Sequence, residues 1–127
     1  MEGLQQIEVS IFNWFIQNCS EYAFEFKKQL SLAVVTEREF TNGGGVFVSF
    51  AIPVECKNNI LKKNDYLEGP LIKSSQLESG ALVTVNISKD GLVEHFEIFS
   101  LAGDYPKSQH VVNYELSLPT FQTIDIR

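Results

Sequence analysis

His95 and Glu97 stand two residues apart in the segment Gly91-Leu92-Val93-Glu94-His95-Phe96-Glu97-Ile98-Phe99. On a strand, residues two apart project from one face, so an imidazole and a carboxylate would lie together while Phe96 and Ile98 turn the other way. Such a pair can exchange a proton with a substrate or form half of a metal site. The same alternation is what an antiparallel sheet shows when one face is buried and the other meets water. The expected role is therefore a solvated face, with acid–base chemistry as the functional alternative.

Other chemistry-bearing residues are less well placed. Gly43-Gly44-Gly45 invites comparison with a phosphate cradle, but such a loop needs Lys-Ser or Lys-Thr and a helix after it. Here Val46-Phe47-Val48 follows, so the glycines read as the tip of a hairpin. Cys19, Cys56, His95 and His110 match the number of ligands in a zinc site without the short Cys-x-x-Cys or His-x₃-His spacing it requires. Neither cysteine has a basic neighbour to lower its pKa, and no Gly-x-Ser-x-Gly or His-Glu-x-x-His segment occurs. No catalytic residue, metal or cofactor is expected from these patterns. Two cysteines also make no disulfide framework, so both are expected as thiols.

The elements that would hold these residues can be read from hydrophobic spacing. Ile7, Ile11, Trp14 and Phe15 recur with helical period, predicting an amphipathic helix over 5–18 that stops at Asn18-Cys19-Ser20. Residues 21–29 fit either a strand, with Tyr22, Phe24 and Phe26 alternating, or a second helix. Leu30–Phe40 reads as a strand, followed by a loose glycine-rich tip and a partner strand from Val46 to Ile52, which Pro53 ends. Residues 54–79 are expected to be irregular, with a short helical turn near Ser75–Glu78. A second hairpin runs from Ala81–Ile87 through Ser88-Lys89-Asp90-Gly91 to Leu92–Phe99. Gly103-Asp104-Tyr105-Pro106 marks another turn, Val112–Leu118 a last strand, and 120–127 a frayed end. Helix, two hairpins and a final strand imply an α+β fold with a mainly antiparallel sheet.

Size and charge limit the functions open to such a fold. At 127 residues, 44% of them hydrophobic, the chain suits a single domain over 1–127 that buries roughly two-thirds of its unfolded surface. The balance of 10 Lys and Arg against 16 Asp and Glu, a formal −6, opposes general nucleic-acid binding, which needs a basic surface. No apolar run reaches the roughly 18 residues of a membrane span. The opening Met1-Glu2-Gly3-Leu4 also lacks the basic start of a secretory signal. A cytoplasmic protein that avoids membranes and nucleic acid is the resulting expectation. The negative charge is uneven: residues 64–127 hold nine Asp and Glu against four Lys and Arg. Asp90, Glu94, His95, Glu97 and Asp104 are the residues this asymmetry nominates for contact with a basic protein partner, the alternative being a surface charged only for solubility.

The segment Arg38-Glu39-Phe40-Thr41-Asn42-Gly43-Gly44-Gly45-Val46-Phe47-Val48-Ser49-Phe50, together with Gly91–Ser100, resembles small uncharacterised bacterial α+β proteins. These carry an Arg-Glu-Phe-Thr-Gly turn before an aromatic strand; Asn42 and the extra glycines depart from that shorter turn. In size and acidity the chain is also similar to immunity proteins that neutralise a toxin. That second likeness implies a non-enzymatic inhibitor that presents acid to a basic partner. Two other readings stand beside it: a small enzyme or ligand-binding protein with a pocket between helix and sheet, and a homo-oligomer assembling through an unpaired strand.

Overall fold

The computed structural model describes residues 3–56, 61, 65–109, 111 and 113–119. Helix α1 spans Gln6–Asn18, close to the predicted limits, and buries Ile7, Ile11, Phe12, Trp14 and Phe15. Its first turn is closed by the backbone N–H of Gln5, which donates to Oε1 of Glu8 at 2.7 Å. At its end Asn18 donates its side-chain amide to the carbonyl of Trp14, and one 3₁₀ turn, Ser20–Tyr22, leads into helix α2, Ala23–Leu32.

The ambiguous stretch is thus helical. Phe26 turns inward and stacks on Phe15, with ring centroids 4.9 Å apart, while Phe24 is 72% exposed. The alternating aromatics reflect two sides of a helix, not two faces of a strand.

Among the described residues six strands follow: β1 (Val34–Thr41), β2 (Gly45–Ala51), β3 (Tyr66–Lys73), β4 (Ala81–Ile87), β5 (Val93–Ser100) and β6 (Glu115–Ser117). They form one sheet in the order β1-β2-β5-β4-β3-β6, with every neighbouring pair antiparallel. Both expected hairpins are present, and the second strand of each joins the two across the middle of the sheet. The α+β class with an N-terminal helix on an antiparallel sheet is what the chain adopts.

Several boundaries differ from expectation. Leu30–Leu32 complete α2, so the first strand starts at Val34. The stretch expected to be irregular contains β3, disguised by Gly69-Pro70. That pair sits where the β3–β4 register shifts between Glu68 and Leu71, and a bulge tolerates the N–H that proline lacks. Ser74–Leu77 is a turn closed by Leu77 N–H on the Ser74 carbonyl, with no helix. The hairpin tip is tied down: Asn42 and Gly43 take positive φ, and the Gly43 and Gly44 carbonyls accept from Tyr105 and Ser100. The last strand is only three residues long. Val112, His110 and the end 120–127 lie outside the described residues.

The core lies between the helices and the inner sheet face. Phe12 of α1 meets Phe50 and Phe96 at 5.5 and 5.1 Å, and those two meet each other at 4.8 Å. Val35, Val46, Val48, Val83, Val85 and Ile98 complete the floor. At Gly69 a side chain would come within 3.2 Å of the Phe15 ring and 2.9 Å of the Val83 carbonyl. Glycine there lets α1 settle directly on β3.

After β5 the chain runs as a strap from the β1–β2 tip across α1 to the far edge of the sheet. Tyr105, Gln109 and Val111 of the strap are buried, and Ser10 and Tyr114 share a 2.7 Å hydrogen bond.

Candidate functional site

The strand registers determine which side chains share the outer face, the one turned away from the helices. Directly paired residues in antiparallel strands project from the same side. Pairing therefore gives one row across five strands: Glu39, Phe47, Glu97, Thr84 and Glu68. A second row runs beside it: Glu37, Ser49, His95, Asn86 and Tyr66. Neither row holds a lysine or arginine. Glu37, Glu39 and Glu68 are exposed, and Glu97 and His95 partly so.

Within this face His95 sits edge-on to Phe47, with ring centroids 5.8 Å apart. Its Nδ1 lies 4.0 Å from a carboxylate oxygen of Glu94. Glu94 is the extra residue of a bulge, because Asn86 pairs with His95 and Ile87 with Val93. The bulge turns Glu94 outward next to the face instead of into the core. Phe96 and Ile98, on the other side of β5, are fully buried.

A third row, Phe99, Leu82 and Leu71, is apolar. It continues through Gly45 of β2 to Thr41 of β1, and a Cβ at Gly45 would run into the Ile98 carbonyl and the Phe99 Cα. Leu82, Phe99 and Pro119 line a groove of about 230 Å³, bordered by Glu68 and Thr84 of the first row. The outer face therefore combines spaced carboxylates with a shallow apolar depression.

Of the five nominated residues, β5 brings Glu94, His95 and Glu97 together. Asp90 lies in the turn before β5 and Asp104 beyond its end, against Gly43. An eight-residue strand separates them, roughly 25 Å of chain. Glu37 and Glu39 were not singled out from sequence, and Glu68 counted only within the acidic excess of residues 64–127, because their place on this face depends on which strands become neighbours. The signal that was available is the Glu37-Arg38-Glu39 alternation, in which Arg38 turns inward.

That inward arginine belongs to a second polar cluster, beneath the strap. Glu8 is fully buried. It accepts from Arg38 Nε at 2.7 Å and Nη2 at 2.9 Å, from Gln109 Nε2 at 2.7 Å and from the Gln5 backbone. Four donors occupy both carboxylate oxygens, so this acid is held as a structural anion and has no lone pair to offer a substrate. Tyr105 donates to Gln109 at 3.3 Å. Burial first, and the Glu8 charge second, push its phenol well above the ordinary value of 10.

Elsewhere, Cys19 and Cys56 are free thiols. Burial, reinforced by Glu21, raises the Cys19 thiol and leaves it a poor nucleophile. Among the described residues no three His, Cys, Asp or Glu side chains gather as metal ligands, and no helix is long and apolar enough to cross a membrane. Comparison of the chain with protein-family models, curated proteins and solved structures found no match.

Proposed function

We propose that this chain is a non-enzymatic protein-binding domain that sets the outer face of its sheet against a basic partner, in the manner of an inhibitor or immunity protein. The observation that carries this reading is the row Glu39–Phe47–Glu97–Thr84–Glu68, which sets Glu39 and Glu97 on neighbouring parts of one sheet face and itself holds no lysine or arginine. Glu37, Glu94 and His95 extend it. Such a face raises the encounter rate with a cationic surface, and added salt removes that gain.

The two other readings draw less from the geometry. A pocket between helix and sheet would need His95, Glu97 or Asp104 to face it. The first two project from the opposite side, and Asp104 is exposed at the hairpin tip. Strand-edge assembly is opposed by charge on β1 and by the brevity of β6.

The test is purification of the tagged protein from its native host at low and moderate salt, with Glu39→Lys/Glu97→Lys carried in parallel. The expected result is a stoichiometric basic protein that accompanies the wild type at low salt and is lost with added salt or in the variant. Recovery of the chain alone at both salts, or of a partner indifferent to salt and substitution, overturns the proposal.

A further inference from the structure

We infer that the occupant of the outer-face groove is this chain's own segment 120–127, with the Phe121 ring seated between Leu82 and Phe99. Glu39 and Glu97 lie outside the groove, so this contact is independent of the acidic-face reading and either can fail alone.

Position along the chain favours this occupant. Pro119 lines the groove, and Thr120-Phe121-Gln122-Thr123-Ile124-Asp125-Ile126-Arg127 follows it directly. Ser117 of β6 pairs with Leu71, Leu71 with Leu82, and Leu82 with Phe99, so the third row runs from β6 to β5 along the outer face. Strand alternation puts 117, 119 and 121 on one side, the side on which Pro119 already meets the groove. Two residues of chain reach about 7 Å. Strand β4 lies two strand spacings from β6, about 9.6 Å, and the phenyl ring covers the difference. An occupant joined to the groove by one intervening residue also has an effective concentration on the order of millimolar, an advantage that no free ligand shares.

Chemistry agrees with position. A cavity of about 150 Å³ holds a benzene ring, and the groove measures about 230 Å³. Phe99, 38% exposed, offers a ring for an aromatic pair. A second observation points to the same segment. Ser117 Oγ, at the β6 end of the row, is buried and has no hydrogen-bond partner among the described residues. A hydroxyl enclosed in this way calls for a partner. The backbone N–H groups of 120–123, with the side chains of Thr120, Gln122 and Thr123, bring donors past it as the segment turns over the groove.

The experiment is NMR of the full chain with labelled methyl and aromatic groups, joined to urea unfolding of Phe121→Ser, Phe99→Ser and the double variant. Nuclear Overhauser contacts are expected from the Phe121 ring to the Leu82 methyls and the Phe99 ring, and the Leu82 methyl signals should move in Phe121→Ser. Phe121→Ser should also lower the folded-to-unfolded ratio by at least about threefold more in the wild-type background than in Phe99→Ser. The contacts are read in the unaltered chain, so a variant that fails to fold does not remove the test.

Absence of those contacts overturns the inference, as do additive losses in the three variants. A sample mixed from differently labelled copies identifies the source of the ring. Contacts that appear only between copies assign the groove to the segment of a second molecule and overturn the inference too.

Discussion

At the scale of single residues, two kinds of acid coexist in this protein, and their roles are opposite. Glu97 is partly exposed on the outer sheet face and is replaceable as far as folding is concerned, whereas Glu8 is enclosed and neutralised by Arg38. Arg38→Gln would strand the Glu8 charge in the core and should cost about 3–5 kcal/mol of stability in urea unfolding, while Glu97→Gln should stay within about 0.5 kcal/mol. Tyr105 makes a separate, pH-dependent contribution. Its phenol is raised in the folded state, so the stabilisation it gives is complete below the unfolded value of about 10 and declines as pH rises through and beyond it. Tyr105→Phe should therefore flatten the loss of stability between pH 9 and 11, about the range where an unfolded tyrosine ionises, as followed by urea midpoints. The alternation at His95 and Glu97 was legible in the sequence because a strand's period is a local property. The Glu8–Arg38 pair was not, since thirty residues separate its members and nothing near either one announces the other.

At the scale of elements, local chemistry explains both what could be read and what was hidden. Gly91 of the Asp90-Gly91 turn and Asn42-Gly43 after Thr41 take positive φ, and both hairpins form where those residues fall. Strand β3 was hidden because Gly69-Pro70 breaks a strand pattern unless a bulge absorbs it, and bulges are set by the partner strand. Gly69→Ala should force α1 and β3 apart and cost about 1–3 kcal/mol, measurable as a lower unfolding midpoint, even though alanine normally favours order over glycine. Helix α2 was ambiguous for a related reason: its inward anchor is polar. Gln29, buried, donates to the Gly91 carbonyl at 2.9 Å and accepts from Val93 N–H at 2.7 Å, joining α2 to the second hairpin. Gln29→Leu fits the volume but leaves two buried backbone groups unpaired. A loss of about 2–4 kcal/mol is expected, with faster amide exchange at Val93.

At the scale of the whole molecule, one sheet separates two environments. Its inner face is aromatic and closed by the helices; its outer face carries the exposed carboxylates Glu37, Glu39 and Glu68. The acidic excess of the second half of the chain was visible in composition, but not its union with Glu37 and Glu39. That union comes from β2 pairing with β5, a long-range choice that places an edge hairpin beside a central one. Reversing two of these charges should act mainly on the rate of encounter. For Glu39→Lys/Glu97→Lys, association with a basic partner is expected to slow by roughly tenfold or more at low salt and to converge towards the wild-type rate at high salt, as stopped-flow mixing would show.

The strap has a consequence in time as well as in space. Gln109 reaches Glu8 across 101 positions of chain, and Tyr114 reaches Ser10 across 104. At ordinary synthesis rates the first helix waits about 5–20 seconds between its own translation and that of the amide that completes its buried carboxylate. Until then α1 carries an ion whose shell is unfinished, and the early chain has reason to remain open. The native state closes late, when the strap that leads into β6 reaches the first helix.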